Sequence, residues 1–319
     1  MIGKTVAVTG AAGFIGGRLV DRLAGEAGTI IRVSRSIERP LEHAAATVID
    51  VAGDVSERDV WDRVADADVI FHLAAQTSRA AAAENPDRDF QANVTPLRHL
   101  LAACRDRKRR PIVLFAGTVT EAGVPSRLPV NEETPDDPIT IYDRHKLMAE
   151  NDLTAAASSG AVCGATLRLA NVYGPGAHAR RVDRDVLNRM IGLAVIGQPL
   201  TVLGTGDYVR DYVFVDDVVD AFLMAAEHSD RVNAGHFVIG SGQGVSLRDA
   251  FQLIAARVER LTGRRVAVTA MEPAAPLSAI ERRNFVGDHA RFSAATGWRP
   301  RWTLAEGIDR TIEALTCAS

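Results

Sequence analysis

The sequence predicts an α/β fold, a doubly wound parallel sheet over about residues 1–170 followed by a smaller C-terminal α/β lobe drawn mainly from 171–319. Three observations carry this. Thr5-Val6-Ala7-Val8-Thr9 reads as a buried strand that runs through Gly10-Ala11-Ala12-Gly13-Phe14-Ile15-Gly16-Gly17 into a helix ending near Ala24. Short apolar strands then alternate with helical stretches through the first half, the pattern of a parallel sheet joined by crossover helices. Finally, the later strands open into small or hydroxyl residues, where a flat ligand can lie against backbone at the carboxyl ends of a parallel sheet.

Bulk properties narrow the classes. The chain has 319 residues, net charge −3 and 24% charged residues, so neither a nucleic-acid surface nor an acidic tail dominates. Cys104, Cys163 and Cys317 are odd in number and widely spaced, which argues against a disulfide framework and a structural zinc site. The first strand begins directly after Met1-Ile2-Gly3-Lys4, and no apolar run is long enough for a bilayer. The expectation is a cytoplasmic protein without nucleic-acid or membrane partners and without a metal.

In chain order, the glycine turn comes first. Gly10, Gly13 and Gly16 permit a tight turn, close approach to a pyrophosphate and close helix–sheet packing, while Phe14 and Ile15 begin a helix whose N-terminus offers amide donors. No phosphate-loop lysine follows, which disfavours a nucleoside triphosphatase. The second strand, Thr29–Val33, leads to Ser34-Arg35-Ser36, where an NAD-binding chain usually places an acid on the ribose. Arg35 can pair with a 2′-phosphate that a carboxylate would repel, so NADP(H) is expected over NAD(H).

A third strand, Thr47–Val51, precedes Gly53-Asp54-Val55, with Asp54 open to two readings: acceptor for the adenine amino group, or cap of a helix over Ser56–Val64. The fourth strand, Asp68–Ala75, ends in Leu73-Ala74-Ala75 on the cofactor side, and its His72 reads as a core histidine. Arg105–Arg110 closes a helix, where cations suit the dipole and the exposed loop. The fifth strand, Pro111–Phe115, opens towards Thr118, and the Pro-rich acidic loop Leu128–Pro138 is expected to form a lid or rim. Tyr142 and Lys146, four apart on a helix, share one face. Bringing a tyrosine from its ordinary value near 10 to neutrality takes roughly 4 kcal/mol of phenolate stabilisation, and Lys146 is expected to supply much of it.

Taken together, Gly10/Gly13/Gly16, Asp54-Val55, His72-Leu73-Ala74-Ala75, Asn93-Val94, Thr118, Tyr142-x-x-x-Lys146 and Asn171-Val172-Tyr173-Gly174-Pro175-Gly176 resemble the extended short-chain dehydrogenase/reductase family, in its nucleotide-sugar epimerase, dehydratase and ketoreductase branch. The resemblance covers most of the chain. It implies a Rossmann-type cofactor domain, segments near 212–227 and 236–240 that return to it, and a lobe for the substrate, a nucleotide-diphosphate sugar. Thr118, Tyr142 and Lys146 become the catalytic group, with Lys146 also on the nicotinamide ribose. Pro199–Tyr212 resembles the branch's strand, glycine turn and arginine, so Arg210 and Asn171 are expected on the substrate diphosphate, with Arg180 or Arg181 beyond. A surface ion pair of Arg210 with Asp207 or Asp211 is the alternative. Asp216-Asp217 read as a helix cap. Helices near Phe90–Arg105 and Tyr142–Ala157 are expected to pair two copies into a homodimer.

Departures from the family pattern matter equally. Val119 and Thr120 occupy the places where family dehydratases carry acids, which argues against a 4,6-dehydratase unless the loop register shifts to make Thr120 the hydroxyl and Glu121 the acid. Ala122 replaces a usual tyrosine, Pro96 a common glycine and His145 a frequent serine. The leading expectation is an NADPH-dependent ketoreductase acting on a nucleotide 4-keto-6-deoxyhexose. A 4-epimerase with tightly held NAD is the alternative, and a non-catalytic cofactor sensor the third reading.

Overall fold

The structure, a computed structural model, describes residues 1–26, 28–37, 40–41, 44–106, 110–176, 186–273 and 275–317. Its strands are β1 (Thr5–Thr9), β2 (Thr29–Ser34), β3 (Thr47–Ala52), β4 (Val69–His72), β5 (Ile112–Thr118), β6 (Cys163–Leu169), β7 (Asn171–Tyr173), β8 (Leu200–Leu203), β9 (Val209–Phe214), β10 (His236–Ile239), β11 (Gly244–Ser246) and β12 (Val268–Met271). The helices are α1 (Phe14–Ala24), α2 (Arg58–Asp62), α3 (Arg79–Glu84), α4 (Pro86–Asn93), α5 (Thr95–Asp106), α6 (Ile141–Ser158), α7 (Val186–Val195), α8 (Val215–Glu227), α9 (Ser229–Val232), α10 (Leu247–Thr262), α11 (Ala279–Arg282), α12 (Ala290–Thr296) and α13 (Leu304–Cys317).

Seven strands form one parallel sheet in the order β10-β6-β5-β4-β1-β2-β3. Side chains alternate between its faces as a pleated strand requires. In β1, Val6 and Val8 enter the core on one side with Leu19, Phe71 and Phe222, whereas Ala7 joins Trp61, Leu97 and Val113 on the other. Both faces are therefore sealed by helices, and a ligand is left the crevice beyond the strand ends, beside β1 and β4, where the strand order reverses. A third apolar cluster, including Leu187, Ile191, Leu200, Phe251, Ile254 and Ile308, holds the smaller lobe, with β8 paired to β12. β10 sits at the edge of the large sheet beside β6, and α8 packs on α1, joined by Arg18 and Asp216 at 2.6 Å.

Asp211, buried on β9, fastens the two halves. Its carboxylate accepts the backbone N–H groups of Ser241, Gly242 and Gly287 at 2.8, 3.1 and 2.9 Å and the Ser241 hydroxyl at 2.6 Å. Asp211→Ala strands the buried Gly287 N–H and the part-buried N–H groups of Ser241 and Gly242, and an expected loss of about 3 kcal/mol is measurable by denaturant unfolding. A loss below about 1 kcal/mol would show that water replaces the carboxylate.

Several expected boundaries move. The fourth strand stops at His72 because the hydroxyl of Thr9 accepts the N–H groups of Leu73 and Ala74, both at 3.1 Å, and draws the chain out of the sheet. The expected helix over Phe90–Arg105 is two helices, broken at Val94. Among the described residues, no helix is long and apolar enough to cross a membrane.

Candidate active site

The crevice begins with the glycine turn. Gly10 adopts φ +68°, and a Cβ there would stand 2.9 Å from Ala74 N, so glycine alone lets the β1 end approach the β4 end. A Cβ on Gly16 would collide with the Gly10 carbonyl. Gly13 caps α1 without a side chain, so the N–H groups of Phe14 and Ile15 in the first turn have no intrahelical acceptor and remain for an anion. Leu73, Ala74 and Ala75 line the opposite side, half-buried. These residues fit a dinucleotide.

At the adenosine side, Ser34 ends β2 half-buried and Arg35 is exposed. Asp54 is exposed, and its Oδ1 accepts the Ser56 N–H at 2.9 Å in a local turn. Of the two readings of Asp54, the helix cap does not hold, because the helix starts later, at Arg58, with Glu57 as its N-cap. Half-buried Val55 accepts Trp61 Nε1 through its carbonyl at 2.8 Å.

Thr118 ends β5 and caps the short 3-10 turn Val119–Ala122. Its hydroxyl oxygen accepts the Thr120 N–H at 3.3 Å and lies 3.0 Å from Thr120 Oγ1, and the Thr120 hydroxyl donates to Asp143. This chain of hydroxyls docks the strand end onto the first turn of α6. There Asp143 and Thr140 form a reciprocal cap at 3.1 and 3.2 Å that fixes Tyr142 and Lys146 on one face. Among the described residues the Tyr142 hydroxyl has no hydrogen-bond partner.

Electrostatically the pair departs from expectation. The Tyr142 phenol is pushed up, not down, first by burial and then by the charges of Glu121, Asp143 and Asp89, while Arg79 opposes the rise. Helix spacing foretold one cation; the fold adds three acids around it. Lys146 is buried with Nζ 3.8 Å from the Phe115 ring centroid, and desolvation lowers it to about 8 against the pull of Glu121, Glu150 and Asp89. His72, stacked on Phe115 and bonded to Thr9 Oγ1 at 2.8 Å, is lowered to about 3 by burial and by Lys146, so it stays a neutral core residue.

Glu121 does not face the crevice as a free acid. It is fully buried, and its carboxylate accepts the Thr118 N–H at 3.0 Å and stands 3.0 Å from Arg168 Nε, so it turns away from the crevice that a dehydratase acid in a shifted register would face. The loop Leu128–Pro138, expected as a lid or rim, is fastened in place: Val130 exchanges backbone hydrogen bonds with Val286 and Asp288 at 2.8 and 2.7 Å, and Asp136 binds Arg168 at 2.6 Å.

On the smaller lobe, Asn171 donates from Nδ2 to the Asp211 carbonyl at 3.1 Å, directly beside Arg210. The Arg210 guanidinium bonds neither Asp207 nor Asp211. It donates to the carbonyls of Glu281, at 2.7 Å, and Arg283. Sequence reasoning missed Arg283, which is buried, donates to the Gly123 carbonyl at 3.2 Å and is lowered to about 10 by burial and by Arg210. It also missed exposed Arg79, whose charge is felt by Tyr142, Arg210 and Arg283. Arg79, Arg210 and Arg283 act on one another, and three neighbouring guanidinium groups suit a polyanionic ligand. No local pattern marks Arg283 beyond the pair Arg282-Arg283, because its place depends on the fold. Arg180 and Arg181 lie outside the described residues.

The family model for the NAD dependent epimerase/dehydratase family matches residues 6–240. A UDP-glucose 4-epimerase of Mycolicibacterium smegmatis is 31% identical over 313 residues, 96% of each chain. The crystal structure of a Thermotoga maritima UDP-glucose 4-epimerase with UDP-glucose superposes with a TM-score of 0.86 at 28% identity, covering 98% of this chain and 99% of that one. MoeE5 in complex with UDP-glucose and NAD gives a TM-score of 0.82 at 27% identity, over 98% and 99% of the two chains.

Proposed function

The chain belongs to the NAD dependent epimerase/dehydratase family, and from that membership we propose that it is a 4-epimerase of a nucleotide-diphosphate hexose, UDP-glucose being the first substrate to offer, with NAD as its bound cofactor. The observation that carries this is the match along nearly the whole of both chains with a UDP-glucose 4-epimerase. The sequence alone favoured an NADPH-dependent ketoreductase; the similar enzyme and the superposing structure are 4-epimerases, which supports the alternative instead.

Bound nicotinamide would supply a hydride acceptor that can also return the hydride. The chain's own residues do the rest. Tyr142 exchanges the proton of the sugar oxygen at C4: once the phenol has given its own proton to solvent base, oxidation breaks the C4–H and O–H bonds, the hydride would pass to the nicotinamide and the proton to the phenolate oxygen, and the return step restores both bonds with the hydride delivered to the other face of the keto sugar. Burial and nearby acids keep the resting phenol protonated, which suits protonation of the keto oxygen. Arg79 is the cation that lowers the phenol and so favours the anion in the opposite step, and Lys146, one turn along the same helix face, is assigned to add to it. Arg210, Arg283 and Asn171 hold the diphosphate, and the glycine turn with the Phe14 and Ile15 amides holds the cofactor pyrophosphate. The same reading pairs two copies through α5 and α6, which sedimentation of the purified chain tests.

The deciding experiment offers UDP-glucose to the purified chain with no added cofactor and follows the hexose by NMR. Interconversion with the 4-epimer and no net cofactor consumption is expected. Stoichiometric loss of NADPH on a nucleotide 4-ketosugar, without epimerisation, would replace the epimerase by the ketoreductase.

A second reading of the cofactor rests on Ser34-Arg35, since β2 ends without an acid. Arg35→Ala is expected to weaken NADPH binding at least about tenfold while NADH stays within about threefold. Equal losses would remove Arg35 from recognition of a 2′-phosphate.

A further inference from the structure

Glu121 is a buried titratable group that the reaction above leaves unused. It is 0% exposed in the turn directly after Thr118. Oε1 takes the Thr118 N–H, while Oε2, though 3.0 Å from Arg168 Nε, has no hydrogen-bond partner. Arg168 has spent most of its hydrogens elsewhere. Nε and Nη2 donate to Glu150 at 3.0 and 2.5 Å, and Nη1 and Nη2 donate to Asp136 at 2.6 and 3.2 Å. Of the five N–H bonds of a guanidinium, four thus go to two other carboxylates. A third ionised carboxylate sealed beside Glu150 without a donor would face both desolvation and like-charge repulsion.

We propose that Glu121 is a positioning residue for Lys146: it is held as the neutral acid at the foot of the site, yields its proton to solvent base as the medium turns alkaline, and thereby keeps the Lys146 ammonium charged against its own burial. For its effect on turnover this rests on the reading of Tyr142 and Lys146 as the reacting pair; the protonation of Glu121 does not.

The charged and titratable neighbours agree. β6 supplies Arg168, α6 supplies Lys146 and Glu150 with Tyr142 and Asp143 one turn ahead, the loop before α6 supplies Asp136, and His236 of β10 reaches Glu150 at 3.3 Å. From α4, Asp89 acts on Lys146. Burial and Glu150 push the Glu121 carboxyl well above the usual carboxylate range, with Arg168, the Thr118 amide and Lys146 opposing. The turn that carries Glu121 packs directly against α6, which carries Lys146, and Glu121 is the first of the charges that hold the Lys146 ammonium up. The two titrations are therefore linked, and each proton lost from the carboxyl makes the ammonium harder to discharge.

Lys4, Lys108 and Lys146 are the three lysines of the chain, so an NMR titration of lysine labelled with carbon-13 at Cε resolves Lys146 once Lys146→Met identifies its signal. Glu121→Gln keeps an acceptor for the Thr118 N–H but cannot ionise, and the Lys146 midpoint is expected to fall by about one pH unit. A midpoint within about 0.2 of the parent overturns the proposal, because a side chain that merely braced the strand would leave the lysine unmoved. Should Glu121→Gln fold poorly, the infrared spectrum of the unaltered chain decides: a buried protonated carboxyl band at neutral pH supports the neutral acid, and its absence overturns it. In turnover, the alkaline limb of kcat is expected to move to lower pH in Glu121→Gln, with KM retained. A chain that epimerises no nucleotide sugar while the lysine shift persists would sink the epimerase reading and leave Glu121 as assigned.

Discussion

Tyr142→Phe is expected to lower turnover at least about a hundredfold while cofactor binding survives. The substitution removes one oxygen and leaves the ring packing and the first turn of α6 in place, since that turn is held by Thr140, Asp143 and Thr120 and not by the phenol. What disappears is the group that carries the proton between solvent-shielded sites, for which a water in the same space lacks the fixed position. Cofactor retention, read from the absorbance of the purified variant, separates a chemical loss from a collapsed site. Near-normal turnover would take Tyr142 out of the reaction. The unaltered enzyme should also lose activity above about pH 8 as Lys146 discharges, because burial has brought that ammonium down to about 8. The sign is fixed by the cation: below that value it is present and supports the phenolate, above it the support is lost.

The large sheet was legible because its signals are local. Thr5–Thr9 and the helix ending at Ala24 have the boundaries that apolar runs and glycines announce. Where distant residues decide, local reading failed. The end of β4 is set by a hydroxyl on Thr9, and the break at Val94 accompanies an Asn93 side chain that is buried and bonded to Gln76 and Asp89, contacts no helix periodicity contains. The site divides similarly. Tyr142 and Lys146 are found by spacing on one helix, whereas the direction in which the phenol shifts depends first on burial and then on charges such as Glu121 and Asp89, which come from other elements. Glu121, Arg168 and Arg283 carry no motif of their own, because a charged residue in a sequence reads as solvated until the fold buries it.

Arg168→Met is expected to destabilise the chain by about 3–5 kcal/mol, lowering the unfolding temperature on the order of 10 °C. The guanidinium is buried on β6 and bonds Glu150 through two nitrogens and Asp136 through two. Methionine fills most of the volume, so the loss is electrostatic: Glu150, itself buried, keeps a charge with His236 at 3.3 Å as its remaining close partner. Asp136 is a third exposed, and water can take over there. If the uncompensated Glu150 charge is the cause, Arg168→Met combined with Glu150→Leu should recover much of the stability, since replacing both members of a buried ion pair with apolar groups removes the cost that deleting one creates. A packing defect predicts the reverse, with the double variant worse than the single. Denaturant unfolding of the three chains separates the two, and an Arg168→Met chain within about 1 kcal/mol of the parent would mean that the guanidinium contributes no more than a surface pair.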